Sequence, residues 1–78
     1  MWEFHISIRS FADVREFVEV ATVQPFAVTV GNGNHWVNGK SFIGMFSLDY
    51  HQPLTVSFSC SQTEYESFRT AAAKFVAA

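Results

Sequence analysis

The chain has 78 residues, of which 49% are hydrophobic and 17% are aromatic, and its formal net charge is −2. This length and composition predict one ordered domain, over residues 1–78, with a single hydrophobic core. The charge and the scattered Lys and Arg residues give no reason to expect nucleic acid or an anionic membrane as partner, and a single cysteine excludes an internal disulfide and a cysteine-based zinc site.

The N-terminal segment predicts a strand. Residues 2–9 alternate between apolar and polar side chains, which is the two-residue period of a half-buried strand. The alternation lacks the apolar run of a signal peptide, and no stretch of the sequence approaches the roughly 20 apolar residues of a membrane span. We therefore expect a cytoplasmic protein.

A helix follows this strand. Ser10 and Asp13 have the spacing of a capping box, with Asp in place of the usual Glu, so we expect the helix to begin at Ser10. Pro25 disfavours helix at the residue before it, which predicts an end near Thr22 or Val23. The apolar face of the helix comprises Phe11, Val14, Phe17, Val18 and Ala21.

The middle of the chain predicts two more strands and a short helix. Residues 26–30 alternate like a strand, and residues 31–34 form a hairpin turn because Gly and Asn tolerate positive φ. Residues 35–37 return as a third strand. A second turn at Asn38-Gly39 leads to Ser41, which caps a helix of about two turns.

The last part predicts a fourth strand and a third helix. Residues 54–60 alternate, Ser61 and Glu64 form a full capping box, and Cys60 and Tyr65 hold the positions of a hydrophobic staple. We expect Cys60 to be a small buried apolar residue. The apolar face of the helix is expected to continue to the C-terminus through Tyr65, Phe68, Ala72, Phe75 and Val76.

The element order β-α-β-β-α-β-α predicts an α+β fold in which three helices cover one face of a four-stranded antiparallel sheet. The opposite face would then meet water, as an open-faced sheet requires. This expectation agrees with the polar strand positions, which are His5, Ser7, Thr29, Thr55 and Ser57.

One segment carries a family resemblance. Residues 37–48 read Val-Asn-Gly-Lys-Ser-Phe-Ile-Gly-Met-Phe-Ser-Leu. This segment resembles the regulatory-serine segment of HPr, the histidine-containing phosphocarrier protein of the bacterial sugar phosphotransferase system. The resemblance implies an HPr-like open-faced β-sandwich and a role in phosphoenolpyruvate-dependent sugar phosphotransferase systems.

The same resemblance indicates a divergent member. HPr proteins carry the phosphorylated histidine in a Gly-x-His-x-Arg-Pro loop at the start of the first helix. Counting back from Ser41 without a gap places that histidine at Ser10, the Arg at Ala12 and the Pro at Asp13. Serine forms no phosphoramidate, alanine carries no charge, and aspartate repels a phosphate. No His lies between residues 6 and 34, so we expect that histidine phosphotransfer has been lost.

Ser41 and the short helix after it form the candidate site. Ser41 is expected to cap the helix, a contribution of about 1 kcal/mol. The resemblance adds a second role, because a dedicated kinase phosphorylates this serine in many HPr relatives. The helix is too short to bury all its large apolar side chains, which predicts a partner-binding surface, with complete burial or a homodimer as the alternative. The residues concerned are Phe42, Ile43, Met45 and Phe46.

The remaining polar residues predict neither a catalytic site nor a cofactor. The spacing of His5, His35 and His51 fits no metal motif. The acidic residues of the first helix, Asp13, Glu16 and Glu19, are expected to form its solvated face. No nucleophile is paired with a base, so we do not expect an enzyme.

The leading hypothesis is a regulatory or protein-binding module that acts through the Ser41 helix, as a monomer or weak homodimer. The resemblance suggests phosphotransferase components, a seryl kinase or a transcription regulator as partners. One alternative is a working phosphocarrier with an unrecognised histidine. Another is a ferredoxin-like module that senses small molecules, although that fold needs a second helix of ordinary length.

Overall fold

The computed structural model describes residues 1–77 and has the predicted element order. Its elements are β1 (Trp2–Ile6), α1 (Phe11–Thr22), β2 (Val28–Gly31), β3 (Trp36–Asn38), α2 (Phe42–Phe46), β4 (Leu54–Phe58), α3 (Gln62–Ala71) and a terminal 3₁₀ turn (Ala73–Phe75). The predicted α+β fold class with a four-stranded antiparallel sheet is confirmed. Within the described residues, no helix is both long enough and apolar enough to span a membrane.

The sheet has the strand order β1-β4-β2-β3, and each neighbouring pair is antiparallel. Because side chains alternate along a strand, residues paired across the sheet share a face. One row on the open face runs from His5 through Thr55 and Gly31 to Trp36. The predicted placement of polar strand residues on the open face is therefore confirmed along this row.

The core lies between the sheet and the helices, and Phe68 of α3 is at its centre. The Phe68 ring is fully buried and meets Phe58 at 5.0 Å, Phe4 at 5.4 Å and Phe26 at 5.7 Å between ring centroids, each in an edge-to-face arrangement. Each such pair contributes about 0.5–1.5 kcal/mol beyond the burial of its area. Phe17 of α1 also contacts Phe68, so one ring joins two helices to the sheet.

Helix α1 begins and ends as predicted, but its apolar face begins one turn later. The Ser10 hydroxyl accepts a hydrogen bond from the Asp13 amide, and the helix ends at Thr22. The Asp13 carboxylate accepts from the amide of Arg9. Phe11 was predicted to lie on the buried face, and this is wrong, because its side chain is 68% exposed. The first turn of α1 projects beyond the core.

Helix α3 is capped as predicted, by reciprocal hydrogen bonds between Ser61 and Glu64. Tyr65 stacks on Trp2 with 4.2 Å between ring centroids, and the Trp2 indole donates a hydrogen bond to the Cys60 carbonyl. Cys60, which was expected to be buried, is only half-buried because it follows the end of β4.

The expectation that α3 continues to the C-terminus is wrong, because α3 ends at Ala71. After the 3₁₀ turn, Val76 forms an antiparallel bridge with Ile6 of β1. The Ser7 amide donates to the Phe75 carbonyl at 2.7 Å, and the Ala77 amide donates to the His5 carbonyl at 2.9 Å. The chain leaves the helix because this path buries Phe75 and pairs the outer edge of β1.

Helix α2 has five residues, which is shorter than the predicted two turns. It packs against α1 and β3. A Cβ atom on Gly44 would lie 3.2 Å from the Cβ of Val37, so the glycine permits a close approach of α2 to β3. This approach places Met45 in the core with 1% exposure, and the prediction that Met45 belongs to an exposed surface is wrong.

Met45 and Ile43 give a matched test of this arrangement, since both are large apolar residues of the same helix. Met45→Ala should lower the free energy of unfolding by about 2–5 kcal/mol, because it leaves a cavity in the core. Ile43→Ala should change it by less than about 0.5 kcal/mol, because Ile43 is 84% exposed. Urea unfolding followed by circular dichroism measures both, and equal losses would contradict the assigned orientation of α2.

Candidate protein-binding surface beside Ser41

The start of α1 and the short helix α2 bring three aromatic rings together at the surface. The rings of Phe11 and Phe46 meet edge to face with 5.3 Å between centroids, and Phe42 stacks beside Phe46 at 6.4 Å. Phe42 is 40% exposed, Phe46 is 45% exposed and Ile43 projects furthest into solvent. We call Phe11, Phe42, Ile43 and Phe46 the aromatic surface.

The aromatic surface is a contiguous patch rather than a set of isolated apolar residues. Single exposed apolar side chains are common on folded proteins, whereas adjoining ones mark interaction sites. Phe11 and Phe46 line a shallow depression together with Ala12 and Arg15. Three of the four predicted partner-binding residues are thus exposed, and Phe11 joins them. Phe11 lies in the first turn of α1, before Val14, which is the first core residue of the helix. This position is the sequence signal for the exposure of Phe11.

Ser41 is the N-cap of α2. Its hydroxyl oxygen accepts a hydrogen bond from the Gly44 amide at 3.1 Å, and its carbonyl accepts from the Met45 amide. The side chain is half-buried. The ammonium group of the neighbouring Lys40 donates to the Gln24 carbonyl at 2.8 Å, so this charge is directed to the end of α1. The predicted cap is confirmed, and phosphorylation of Ser41 stays a prediction.

Ser10 occupies the N-cap of α1, the position that the resemblance assigns to the active histidine. Ser10 is exposed, and its hydroxyl accepts from the Asp13 amide at 3.3 Å. Ala12 contributes no charge to this helix start, and the carboxylate of Asp13 contributes a negative one. The Ser10 hydroxyl and the Asp13 carboxylate therefore occupy free amides at this helix start, and the negative charge of Asp13 is unfavourable beside a phosphate.

The histidines lie apart, and His35 makes a contact that the sequence did not indicate. His35 Nε2 lies 3.2 Å from the Ser47 hydroxyl, which donates to the Gly44 carbonyl at 2.6 Å. A hydroxyl has one hydrogen, so the ring of His35 must donate to Ser47. This bond ties the β2–β3 turn to the end of α2.

His51 hydrogen-bonds Asp49 through its backbone amide and through its ring at 2.9 Å, and both bonds lower the pKa of the Asp49 carboxyl. His5 lies on the open face of the sheet, in the row that ends at Trp36. Among residues 1–77, no group of three or more His, Cys, Asp or Glu side chains is placed to hold a metal ion. The three histidines therefore form no common site.

Comparisons with known proteins identify the fold. No protein-family model matches this sequence, and no curated protein matches it. Among solved structures, the chain is similar to the crystal structure of HPr-C-His from Thermoanaerobacter tengcongensis, with 25% sequence identity and a TM-score of 0.77. The similarity covers 95% of this chain and 89% of that one. The fold of this chain is therefore HPr-like over nearly its whole length.

Proposed function

We propose that the chain is a non-enzymatic, HPr-like module that binds a protein partner through the aromatic surface. The observation that carries this proposal is the exposed contact between Phe11 and Phe46, which joins the start of α1 to α2. Aromatic side chains, Phe among them, are enriched at the cores of protein interfaces relative to the rest of the surface. The module acts as one domain over residues 1–78, in the cytoplasm, as a monomer or weak homodimer.

The proposed module does not relay phosphate through histidine. Ser10 stands where the resemblance places the phosphorylated residue, and an HPr-like carrier would need an imidazole nitrogen there. The partner classes suggested by the resemblance are phosphotransferase components, a seryl kinase and a transcription regulator. A ferredoxin-like sensing module is not supported, because α2 has five residues.

Ser41 is the proposed regulatory site beside this surface. A phosphate on Ser41 would keep an acceptor oxygen near the Gly44 amide and would add negative charge at the positive end of α2. It would also place that charge beside Phe42, at the edge of the aromatic surface. Phosphorylation would therefore change which partners bind without unfolding the helix.

Binding through the aromatic surface predicts a selective effect of Phe46→Ala. The protein and this variant are tested against a panel of HPr-binding proteins. For the panel member that binds, Phe46→Ala should raise the Kd by about 30-fold, the ratio that corresponds to about 2 kcal/mol for an interface hot spot. Val23→Ala is the control, because Val23 is 76% exposed at the opposite end of α1. Titration calorimetry measures both, and equal losses would argue against this surface.

The proposed regulation predicts one phosphate on Ser41. Intact mass spectrometry after incubation with an HPr seryl kinase and ATP should show a single added phosphate, absent in Ser41→Ala and retained in Ser47→Ala. Ser47 is the matched control, since it is an exposed serine at the other end of α2. A chain that never gains the phosphate would refute regulation at Ser41 and leave binding through the aromatic surface intact.

The proposed loss of histidine phosphotransfer predicts no acid-labile phosphate after incubation with phosphoenolpyruvate and the general phosphotransferase enzyme. An HPr with its active histidine, in the same reaction, is the positive control. Phosphohistidine at His5, His35 or His51 would establish a working phosphocarrier instead. The modified residue is mapped by mass-spectrometric fragmentation of peptides that have been kept at neutral pH.

A further inference from the structure

The chain contains two Asn-Gly pairs, and they lie at opposite ends of β3. Asn32-Gly33 is in the turn between β2 and β3, whereas Asn38 is the last residue of β3, where it pairs with Thr29, and Gly39 follows it. Asn-Gly is the dipeptide most prone to deamidation, because glycine has no side chain to hinder its amide nitrogen as it approaches the asparagine carboxamide. The structure gives the two pairs very different surroundings.

Asn38-Gly39 is held in a geometry that protects it. The Gly39 amide donates a hydrogen bond to the Val28 carbonyl at 2.8 Å, so its nitrogen is committed to β2. Gly39 is buried, and a Cβ atom at that position would lie 2.9 Å from the side chain of Val28. The Asn38 carboxamide oxygen accepts from the Lys40 amide at 2.9 Å. Attack by the Gly39 nitrogen would first require opening of this strand end.

Asn32-Gly33 has none of this protection. Both residues are exposed, Gly33 has a φ of 101°, and no atom outside residues 32–34 lies within 4 Å of the Cβ position on Gly33. Among the hydrogen bonds of the described residues, the Gly33 amide donates none. The Asn32 carboxamide oxygen accepts only a long bond, 3.3 Å from the His35 amide, and this bond is exposed to water.

We propose that Asn32 is a site of spontaneous deamidation in the folded protein and that Asn38 is not. The Gly33 backbone nitrogen attacks Asn32 Cγ and forms the N–Cγ bond of a five-membered succinimide. The Cγ–Nδ2 bond breaks, and ammonia leaves with the proton lost from the Gly33 amide. Water then opens the ring at either carbonyl, which gives aspartate or isoaspartate at residue 32.

The product changes the turn and its link to α2. Isoaspartate adds a methylene group to the backbone at the residue that pairs with His35 through two hydrogen bonds. Either product also adds a negative charge beside that histidine. Because His35 donates to Ser47 at the end of α2, the modification alters a contact of the helix that carries Phe42 and Phe46. This inference stands on the turn itself and does not require the proposed function.

The test follows both asparagines in one sample. The folded protein is incubated in mildly alkaline buffer and digested with chymotrypsin, which separates Asn32 from Asn38 by cleaving after Trp36. Asn32 should deamidate at least about tenfold faster than Asn38, a ratio that needs an opening free energy of only about 1.4 kcal/mol at Gly39. Isoaspartate in the Asn32 peptide, detected with an isoaspartyl methyltransferase, identifies the succinimide route.

Two controls make the result decisive. In urea both Asn-Gly pairs should react at similar rates, because unfolding removes the bond from Gly39 to Val28. Asn32→Asp should abolish the mass gain in its peptide, and a gain that persists would assign the reaction to Asn34. Equal rates at Asn32 and Asn38 in the folded protein, or an Asn32 that reacts only in urea, would overturn the proposal.

Discussion

The buried ring of Phe68 is the contact on which the arrangement of the other elements depends. Phe68 is buried on α3, and its ring meets Phe4 of β1, Phe58 of β4 and Phe17 of α1. The contacts with Phe4 and Phe58 are edge-to-face, an arrangement that aromatic rings prefer and that fixes the relative orientation of the elements as well as their separation. The capping box at Ser61 and the stack of Tyr65 on Trp2 then hold the start of α3 at the edge of the sheet.

The aromatic surface is a consequence of where this core ends. Helix α2 has only five residues and packs against α1 and the three-residue strand β3, which cover one side of it. Gly44 and Met45 take that side, which leaves Phe42 and Phe46 directed outwards. The first turn of α1 also lies beyond the core, and Phe11 therefore packs on Phe46 instead of on the sheet. Local element length, rather than composition, produces the exposed patch.

The sequence was sufficient for features that depend on near neighbours in the chain. The helix caps at Ser10, Ser41 and Ser61 were all predicted, because side-chain to backbone bonds within three residues determine them. The hairpin turn was predicted at residues 31–34 and lies one residue further along, at residues 32–35, because Gly31 is the last residue of β2. The exposure of Phe11 was not predicted, since helical periodicity describes a face but not how far the core extends along it.

Predictions that required distant contacts were also missed. The burial of Met45 depends on its approach to β3, and the end of α3 depends on the pairing of residues 75–77 with β1. The contact from His35 to Ser47 joins residues 12 positions apart in the chain. No pattern within a single element encodes such a contact, so these features became visible only in the folded structure.

The hydrogen bonds at the two helix starts bear on the proposal of binding without a phosphohistidine. At α1, Ser10 and Asp13 complete the cap, and the negative carboxylate raises the cost of placing a phosphate there. At α2, the charge of Lys40 is committed to the Gln24 carbonyl, so a phosphate on Ser41 would depend on the helix amides for its stabilisation. The aromatic surface lies between these two helix starts and requires neither charge. The apolar contact would therefore supply the affinity of the proposed module, and a phosphate on Ser41 would adjust it.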